Sequence, residues 1–122
     1  MKKNLNRKVL VCEDDRHIAE IIEIILRSRG YEVKTLAHGR EIQKEVVAFL
    51  PDIILLDLWM PDIDGIKIAS LLKKNTVSGS IPIIVISALS DARQISKEID
   101  ADDFLAKPFE MNDLISIVAR HA

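Results

Sequence analysis

Three short apolar runs, rich in β-branched residues, constrain the fold more than any other feature of the sequence. They are Val9–Cys12, Ile53–Leu56 and Ile83–Ile86. None of them alternates between apolar and polar residues, which is typical of strands that are buried on both faces. Tyr31–Leu36 and Phe104–Ala106 are weaker strand candidates. The chain is therefore predicted to contain five strands, and the three strands formed by the apolar runs are expected to lie inside a covered sheet.

Helical patterns separate these strands, with apolar residues that recur at spacings of three and four. The residues that mark the five predicted helices are, in chain order, Ile18, Ile22, Ile25 and Leu26; Ile42, Val46, Phe49 and Leu50; Ile68, Ala69, Leu71 and Leu72; Ala92, Ile95 and Ile99; and Leu114, Ile115 and Val118. Gly30 and Pro51 stand where the first two helices should end. Repeated alternation of strand and helix predicts an α/β fold, a parallel sheet with helices on both faces.

Length, charge and cysteine content exclude several classes of protein. The 122 residues suit one domain spanning positions 1–122. A net charge of -2 argues against direct binding of nucleic acid through gross charge. The single cysteine, Cys12, excludes an internal disulfide framework and fits the cytoplasm. No apolar run approaches the roughly 20 residues of a membrane helix, so no membrane association is expected.

Polar and charged residues gather where the predicted strands end. Glu13, Asp14 and Asp15 follow the first strand, Asp57 ends the third, Ser87 and Ala88 end the fourth, and Lys107 and Pro108 follow the fifth. In open parallel sheets the binding crevice lies beyond the carboxyl ends of the strands. These residues are therefore predicted to meet in one crevice, because core packing gives no reason for such a set.

The chemistry of this set favours phosphoryl transfer. Carboxylates that share a crevice repel one another, and a hard divalent cation relieves that repulsion. Donors that are all oxygen favour Mg²⁺, with Mn²⁺ as an alternative, over zinc. A metal at such a site usually also holds a phosphate oxygen, and a lysine and a hydroxyl can bind the others. Since an aspartate can accept a group covalently, the set predicts transfer of a phosphoryl group to an aspartate.

Four motifs occur in order along the chain: VLVCEDD, DIILLDLWMPDIDG, VISA and DDFLAKPF. Together they resemble the receiver domain of two-component response regulators, and the resemblance covers the chain from about Arg7 to His121. It implies a doubly wound, three-layer fold like that of the chemotaxis regulators. Such a fold has five parallel strands in the order 2-1-3-4-5 and five helices.

The resemblance also implies a metal site and a phosphoacceptor. Asp57 corresponds to the aspartate that is phosphorylated. Glu13 and Asp14 correspond to the acidic pair that binds Mg²⁺ together with Asp57, and the backbone carbonyl of Trp59 is expected to be a further ligand. Ser87 and Lys107 correspond to the residues that contact the phosphoryl group.

A conformational switch is implied by the same resemblance. Ala88 lies beside Ser87 in the expected binding site, and the Lys107–Pro108 peptide is expected to be cis. Ser87 is expected to move towards the phosphoryl group, and Phe104 then fills the space that it leaves. The surface formed by the fourth predicted helix, the fifth strand and the fifth helix changes as a result.

The expected partners follow from this role. The phosphodonor is a phosphohistidine on a sensor histidine kinase or on a histidine phosphotransfer protein. The output is a downstream effector protein or an output domain of a longer chain, and phosphorylation is expected to favour a homodimer. The chain is not an enzyme for a free substrate, although it assists its own phosphorylation and dephosphorylation.

Several alternatives remain open from the residues alone. An aspartate-nucleophile phosphohydrolase needs a second aspartate two residues after the nucleophile, where this chain has Trp59. A receiver-like module that is never phosphorylated is disfavoured by the complete set of site residues. A dinucleotide-binding fold is excluded because no GxGxxG follows the first strand. Asp15 is interpreted as a helix cap, Cys12 as a core thiol, and Phe104 as either the switch residue or a fixed core aromatic.

The sequence departs from the family pattern at a few positions. Glu13 replaces the commoner aspartate, and Ser87 replaces threonine. The bulky Trp59 is expected to slow dephosphorylation. The segment between Ser87 and Phe104 is shorter than usual and has Asp100 in place of a glycine, so the fourth helix is expected to be short or displaced.

Overall fold

The computed structural model describes residues 7–58, 65–75, 79–87 and 101–122, and for residues 65 and 66 only the backbone. Its five strands are β1 (Lys8–Cys12), β2 (Glu32–Leu36), β3 (Ile53–Asp57), β4 (Ile83–Ser87) and β5 (Asp103–Ala106). All neighbouring strands are parallel, and their order is β2-β1-β3-β4-β5. This confirms the predicted sheet and its strand order.

Four α-helices lie in the described part of the chain. They are α1 (Arg16–Arg27), α2 (Ile42–Phe49), α3 (Gly65–Lys74) and α4 (Met111–His121), and a 3₁₀ turn, Gly39–Glu41, leads into α2. α4 is the fifth helix of the sequence prediction. The fourth predicted helix, with Ala92, Ile95 and Ile99, lies outside the described residues. None of the helices described here is long and apolar enough to cross a membrane.

Side chains of the central strands alternate between two separate hydrophobic cores, one on each face of the sheet. Val9 and Val11 of β1 point to the face covered by α1 and α4, whereas Leu10 and Cys12 point to the face covered by α2 and α3. Both sets are fully buried, which explains why the central strands read as continuous apolar runs. Cys12 is a free thiol in this core, and burial raises its pKa, as expected for a cysteine with a packing role.

The ends of α1 are built as the sequence predicts. The carboxylate of Asp15 accepts hydrogen bonds from the backbone N–H groups of His17 and Ile18, at 3.0 and 3.2 Å. It therefore caps the helix and satisfies two N–H groups that have no partner within the helix. Past the other end, Gly30 has a φ of 91°, a conformation that favours glycine.

Three residues of the predicted apolar stripes lie elsewhere than expected. Leu50 is 59% exposed, because α2 ends at Phe49 and Leu50 adopts a left-handed conformation with φ 52°. Leu71 is 44% exposed, since α3 buries Ala69 and Leu72, and successive helical residues point about 100° apart. In α4 it is Ile117 that is buried, and Ile115 lies at the edge of the apolar face.

Candidate functional site

Two carboxylates and one ammonium group meet at the carboxyl ends of the strands. The Nζ atom of Lys107 lies 2.8 Å from Oε1 of Glu13 and 3.4 Å from Oδ2 of Asp57. The sheet brings them together because β1 pairs with β3, and β5 lies next to β4. Lys107 therefore contacts residues that are far apart in the sequence, as the prediction required.

Burial makes this cluster electrostatically unusual. Glu13 is 2% exposed and Asp57 is 4% exposed. Burial raises the pKa of Glu13 to about 7, and the negative charge of Asp57 adds to that shift, whereas the contact with Lys107 opposes it. For Lys107, burial alone would lower the pKa, but the neighbouring carboxylates outweigh it and the pKa is raised. The pocket therefore has a deficit of positive charge around Glu13 and Asp57.

The carboxylates fit a divalent cation. Glu13, Asp14 and Asp57 each offer one oxygen, and these oxygens lie within 4.8 Å of one another. Opposite ligands of Mg²⁺ lie about 4.2 Å apart, so a small adjustment brings the three oxygens onto one ion. Among the described residues, no group gives Oε1 of Glu13 a hydrogen bond of good geometry, although Lys107 lies close to it. A buried oxygen in this condition is a suitable metal ligand.

The other oxygen of Glu13 is already fixed. Oε2 accepts a hydrogen bond from the backbone N–H of Asp15 at 3.1 Å. Asp15 is itself held at the start of α1 as the helix cap, so the turn between β1 and α1 orients the carboxylate of Glu13. Trp59, whose carbonyl was predicted as a further metal ligand, lies outside the described residues.

Ser87, which is predicted to contact the phosphoryl group, lies at the carboxyl edge of the sheet. It ends β4, is fully buried, and lies beside Ala106 of β5 in the sheet. Its backbone carbonyl accepts a hydrogen bond from the N–H of Lys107 at 3.0 Å, which fixes where the lysine leaves the strand. The Lys107–Pro108 peptide is cis, as predicted. Ala88, next to Ser87, lies outside the described residues.

Phe104 remains compatible with both of its interpretations. It lies in β5 beside Val85 and is half-buried against the core that α2 and α3 cover. A partly exposed aromatic at this position can pack further inward, but it also contributes to the core where it is. The switch role of Phe104 therefore stays a prediction.

An apolar cavity beside Lys107 was missed by the sequence reasoning. It has a volume of about 360 Å³ and is lined by Ile18, Ile21, Lys107, Pro108 and Phe109. Ile21 is 51% exposed on α1, outside the stripe that predicted the helix. An isoleucine three residues after Ile18, at the flank of the apolar stripe, was the available signal. Without the tertiary fold, however, nothing placed it next to the end of β5.

Comparison with known proteins agrees with this geometry. A family model described as the response regulator receiver domain matches residues 9–119. The chain is 31% identical over 113 residues to the DNA-binding dual master transcriptional regulator RpaA of Synechocystis, covering 91% of this chain and 47% of RpaA. The chain spans about half the length of the curated relatives it matches.

Solved structures share the whole fold. The Vibrio cholerae chemotaxis protein CheY4 is 27% identical, with a TM-score of 0.88, and the match covers 96% of this chain and 99% of that one. The receiver domain of the Francisella response regulator 1452 is 32% identical, with a TM-score of 0.85, and the match covers 94% of this chain and 95% of that one. The fold of the chain is therefore shared with these proteins.

Proposed function

Because the chain belongs to the response regulator receiver domain family, we propose that Asp57 is its phosphoacceptor. As a receiver domain, the protein is a component of two-component signalling. The observation that supports Asp57 most strongly is its position: a buried carboxylate at the end of β3, within reach of Lys107 and clustered with two other carboxylates.

The transfer itself requires little covalent chemistry from the protein. An oxygen of the Asp57 carboxylate attacks the phosphorus of a phosphohistidine, a P–O bond forms, and the P–N bond breaks. The electron pair of that bond returns to the imidazole nitrogen. Lys107 balances charge on the phosphoryl oxygens, and the Ser87 hydroxyl donates to one of them. The product is an acyl phosphate on Asp57 and a free histidine on the donor.

A divalent cation belongs in this scheme. Glu13, Asp14 and Asp57 would hold Mg²⁺, with the Trp59 carbonyl as a further ligand and Mn²⁺ as a substitute. When bound, the ion supplies positive charge to a crowded anionic site. The chain's own contribution is to hold the three carboxylates close together before the donor arrives.

The proposal also covers the phosphodonor and the output of the domain. A histidine kinase or a histidine phosphotransfer protein presents the phosphohistidine, and the apolar cavity beside Lys107 offers it a surface on which to dock. The 122 residues form one domain, with a net charge of -2 that does not favour nucleic acid. Output therefore passes through an effector protein or through another domain of a longer chain, with a homodimer as one form of the phosphorylated state.

The conformational switch links phosphorylation of Asp57 to the output. A phosphoryl group on Asp57 attracts the Ser87 hydroxyl, and Phe104 moves inward into the space released. This changes the surface around β5 and α4. The cytoplasmic location and the slow dephosphorylation expected from Trp59 stay predictions.

Intact-mass measurement after treatment with acetyl phosphate and Mg²⁺ tests the assignment. We expect one phosphate-sized gain in mass, which hydroxylamine removes because acyl phosphates react with it. Asp57→Asn should show no gain. Asp15→Asn is the matched control, since Asp15 lies close by and asparagine also caps helices, and it should be phosphorylated normally. A gain that persists in Asp57→Asn, or no gain in the natural chain, would contradict the proposal.

A further inference from the structure

The carboxylate of Asp103 connects β5 to the end of α4. Its Oδ1 atom accepts a hydrogen bond from the backbone N–H of Phe104 at 2.9 Å. Its Oδ2 atom lies 2.9 Å from Nη1 of Arg120 and 2.9 Å from Nε2 of His121. One side chain therefore bonds both the backbone of the proposed switch residue and the last turn of α4.

These contacts are partly sheltered from water. The side chains of Asp103 and His121 are 24% and 21% exposed, although that of Arg120 is largely exposed. Burial alone would raise the pKa of Asp103, but hydrogen bonds from His121 and the Phe104 N–H, together with Arg120, outweigh it and the pKa is lowered. The carboxylate is thus held in its charged form by the groups that it connects.

The neighbouring carboxylate, that of Asp102, contacts α3 and β4 instead of α4. Asp102 accepts hydrogen bonds from Nζ of Lys73 in α3 and from the backbone N–H of Ile83 at the start of β4. Two adjacent aspartates therefore hold different elements. Of these two aspartates, Asp103 is the one whose hydrogen bonds reach α4 and the N–H of Phe104.

We propose that Asp103 couples β5 to the last turn of α4, and that phosphorylation of Asp57 releases this turn. The inference rests on the proposed function, because it requires the phosphoryl group on Asp57. It adds a specific output: a segment around residues 119–122 whose order depends on phosphorylation, and which a partner can then recognise.

The path of the coupling is short. A phosphoryl group on Asp57 draws Lys107 away from Glu13, from which its Nζ atom lies 2.8 Å in the structure. In the proposed switch Phe104 then moves inward, and because its N–H donates to Oδ1 of Asp103, this movement acts directly on the Asp103–Phe104 peptide. Hydrogen bonds weaken steeply when their distance and angle change, so a small rotation of this peptide loosens the contacts with α4.

Hydrogen exchange of the C-terminal peptide, read by mass spectrometry, tests the coupling. Ala122 is a direct reporter, because its N–H donates to the carbonyl of Val118 at 2.8 Å. After treatment with acetyl phosphate and Mg²⁺, exchange in residues 119–122 should become about three- to tenfold faster, the range expected for losing two partly exposed contacts. Intact mass of the same sample gives the phosphorylated fraction.

Variants separate the coupling from phosphorylation itself. Asp103→Asn should be phosphorylated normally, exchange fast before treatment, and show no further change. The double variant Arg120→Gln with His121→Gln should behave in the same way from the other side of the contact. Asp102→Asn is the matched control, and it should keep the full response of the C-terminal peptide.

The outcomes distinguish this inference from the function on which it rests. If the mass gain occurs but exchange of residues 119–122 is unchanged or slower, the coupling is wrong and Asp57 remains the phosphoacceptor. A full response in Asp103→Asn also overturns the coupling. If no mass gain occurs in the natural chain, both proposals fail.

Discussion

At the scale of single residues, the charged groups of the site lower the stability of the folded domain. Glu13 and Asp57 are buried together, and Lys107 supplies a positive charge in contact with both. A buried group of like charges disfavours the folded state unless a cation compensates for it. The arrangement is therefore better suited to binding a metal and a phosphoryl group than to holding the domain together.

Removal of one carboxylate should consequently stabilise the fold. In Asp57→Asn, Lys107 keeps its contact with Glu13, and the repulsion between the two carboxylates disappears. We expect the free energy of unfolding, measured by urea denaturation without divalent cations, to rise by about 1–2 kcal/mol. Asp15→Asn, an exposed change that keeps the helix cap, should alter it by less than about 0.5 kcal/mol. A destabilised Asp57→Asn would show that the cluster is not strained.

At the scale of elements, the chain ends its helices in two different ways. After α1, the left-handed conformation falls on Gly30, where it costs little. After α2 the left-handed conformation occurs at Leu50, where the side chain makes it sterically unfavourable. Most of the Leu50 side chain is also exposed to water. Pro51 follows directly, so the helix cannot continue through this position.

Glycine at this position should therefore stabilise the protein. We expect Leu50→Gly to raise the free energy of unfolding above that of Leu50→Ala by about 1 kcal/mol. The alanine variant is the matched control, since it loses the same exposed side chain but keeps the steric cost. Thermal or urea denaturation of both variants measures the difference. If Leu50→Gly proves no more stable than Leu50→Ala, the left-handed backbone is not a source of strain.

Asp102 is the side chain that ties α3 and β4 to the start of β5. Asp102→Ala removes the acceptor of the Ile83 N–H, and an unsatisfied buried donor costs about 1–3 kcal/mol. Lys73→Met, which removes only the partly exposed ion pair, should cost less than about 1 kcal/mol. Urea denaturation at neutral pH measures both. Equal losses in the two variants would assign the effect to the ion pair alone.

The same contact predicts a dependence on pH. Burial would raise the pKa of Asp102, but the hydrogen bonds from Lys73 and Ile83 outweigh it, so the folded pKa lies below the ordinary value. A lowered folded pKa means that the stabilisation is complete above the ordinary pKa and is lost as the pH falls through the folded one. The difference between the natural chain and Asp102→Ala should therefore shrink below about pH 4.

At the scale of the whole molecule, the site and the fold are linked through any ion that binds only the folded chain. Since Asp57 ends β3 whereas Glu13 and Asp14 lie in the turn that follows β1, the three carboxylates are close together only when the sheet is formed. A ligand present at ten times its dissociation constant then stabilises the whole domain by about 1.4 kcal/mol. Stability should accordingly depend on the concentration of Mg²⁺.

This dependence should follow the ligand set. Titration of Mg²⁺ during thermal unfolding is expected to raise the midpoint of the natural chain, and to raise that of Asp14→Asn much less. Asp15→Asn, which changes a neighbouring carboxylate outside the cluster, should respond like the natural chain. An equal rise in Asp14→Asn and the natural chain would remove Asp14 from the set of ligands.

Much of the fold was predictable from local pattern. The five strands and the four described helices lie where apolar runs and helical spacing predicted them, because buried strands and amphipathic helices leave distinct periodicities. The errors fall at Leu50, Leu71 and Ile115, each at the edge of an apolar stripe. There, a rotation of the helix or its exact last residue decides burial, and neither is encoded in spacing alone.

The sequence by itself determined the sheet and the residues that end its strands, because every run of apolar residues and every helix stop acts over a few neighbouring positions. It also determined that carboxylates, a hydroxyl and a lysine would gather at one edge. Only the tertiary structure decided which atoms meet: Lys107 with Glu13 as well as Asp57, and Asp103 with the end of α4. These contacts depend on strand register and helix packing, which arise from interactions between distant parts of the chain.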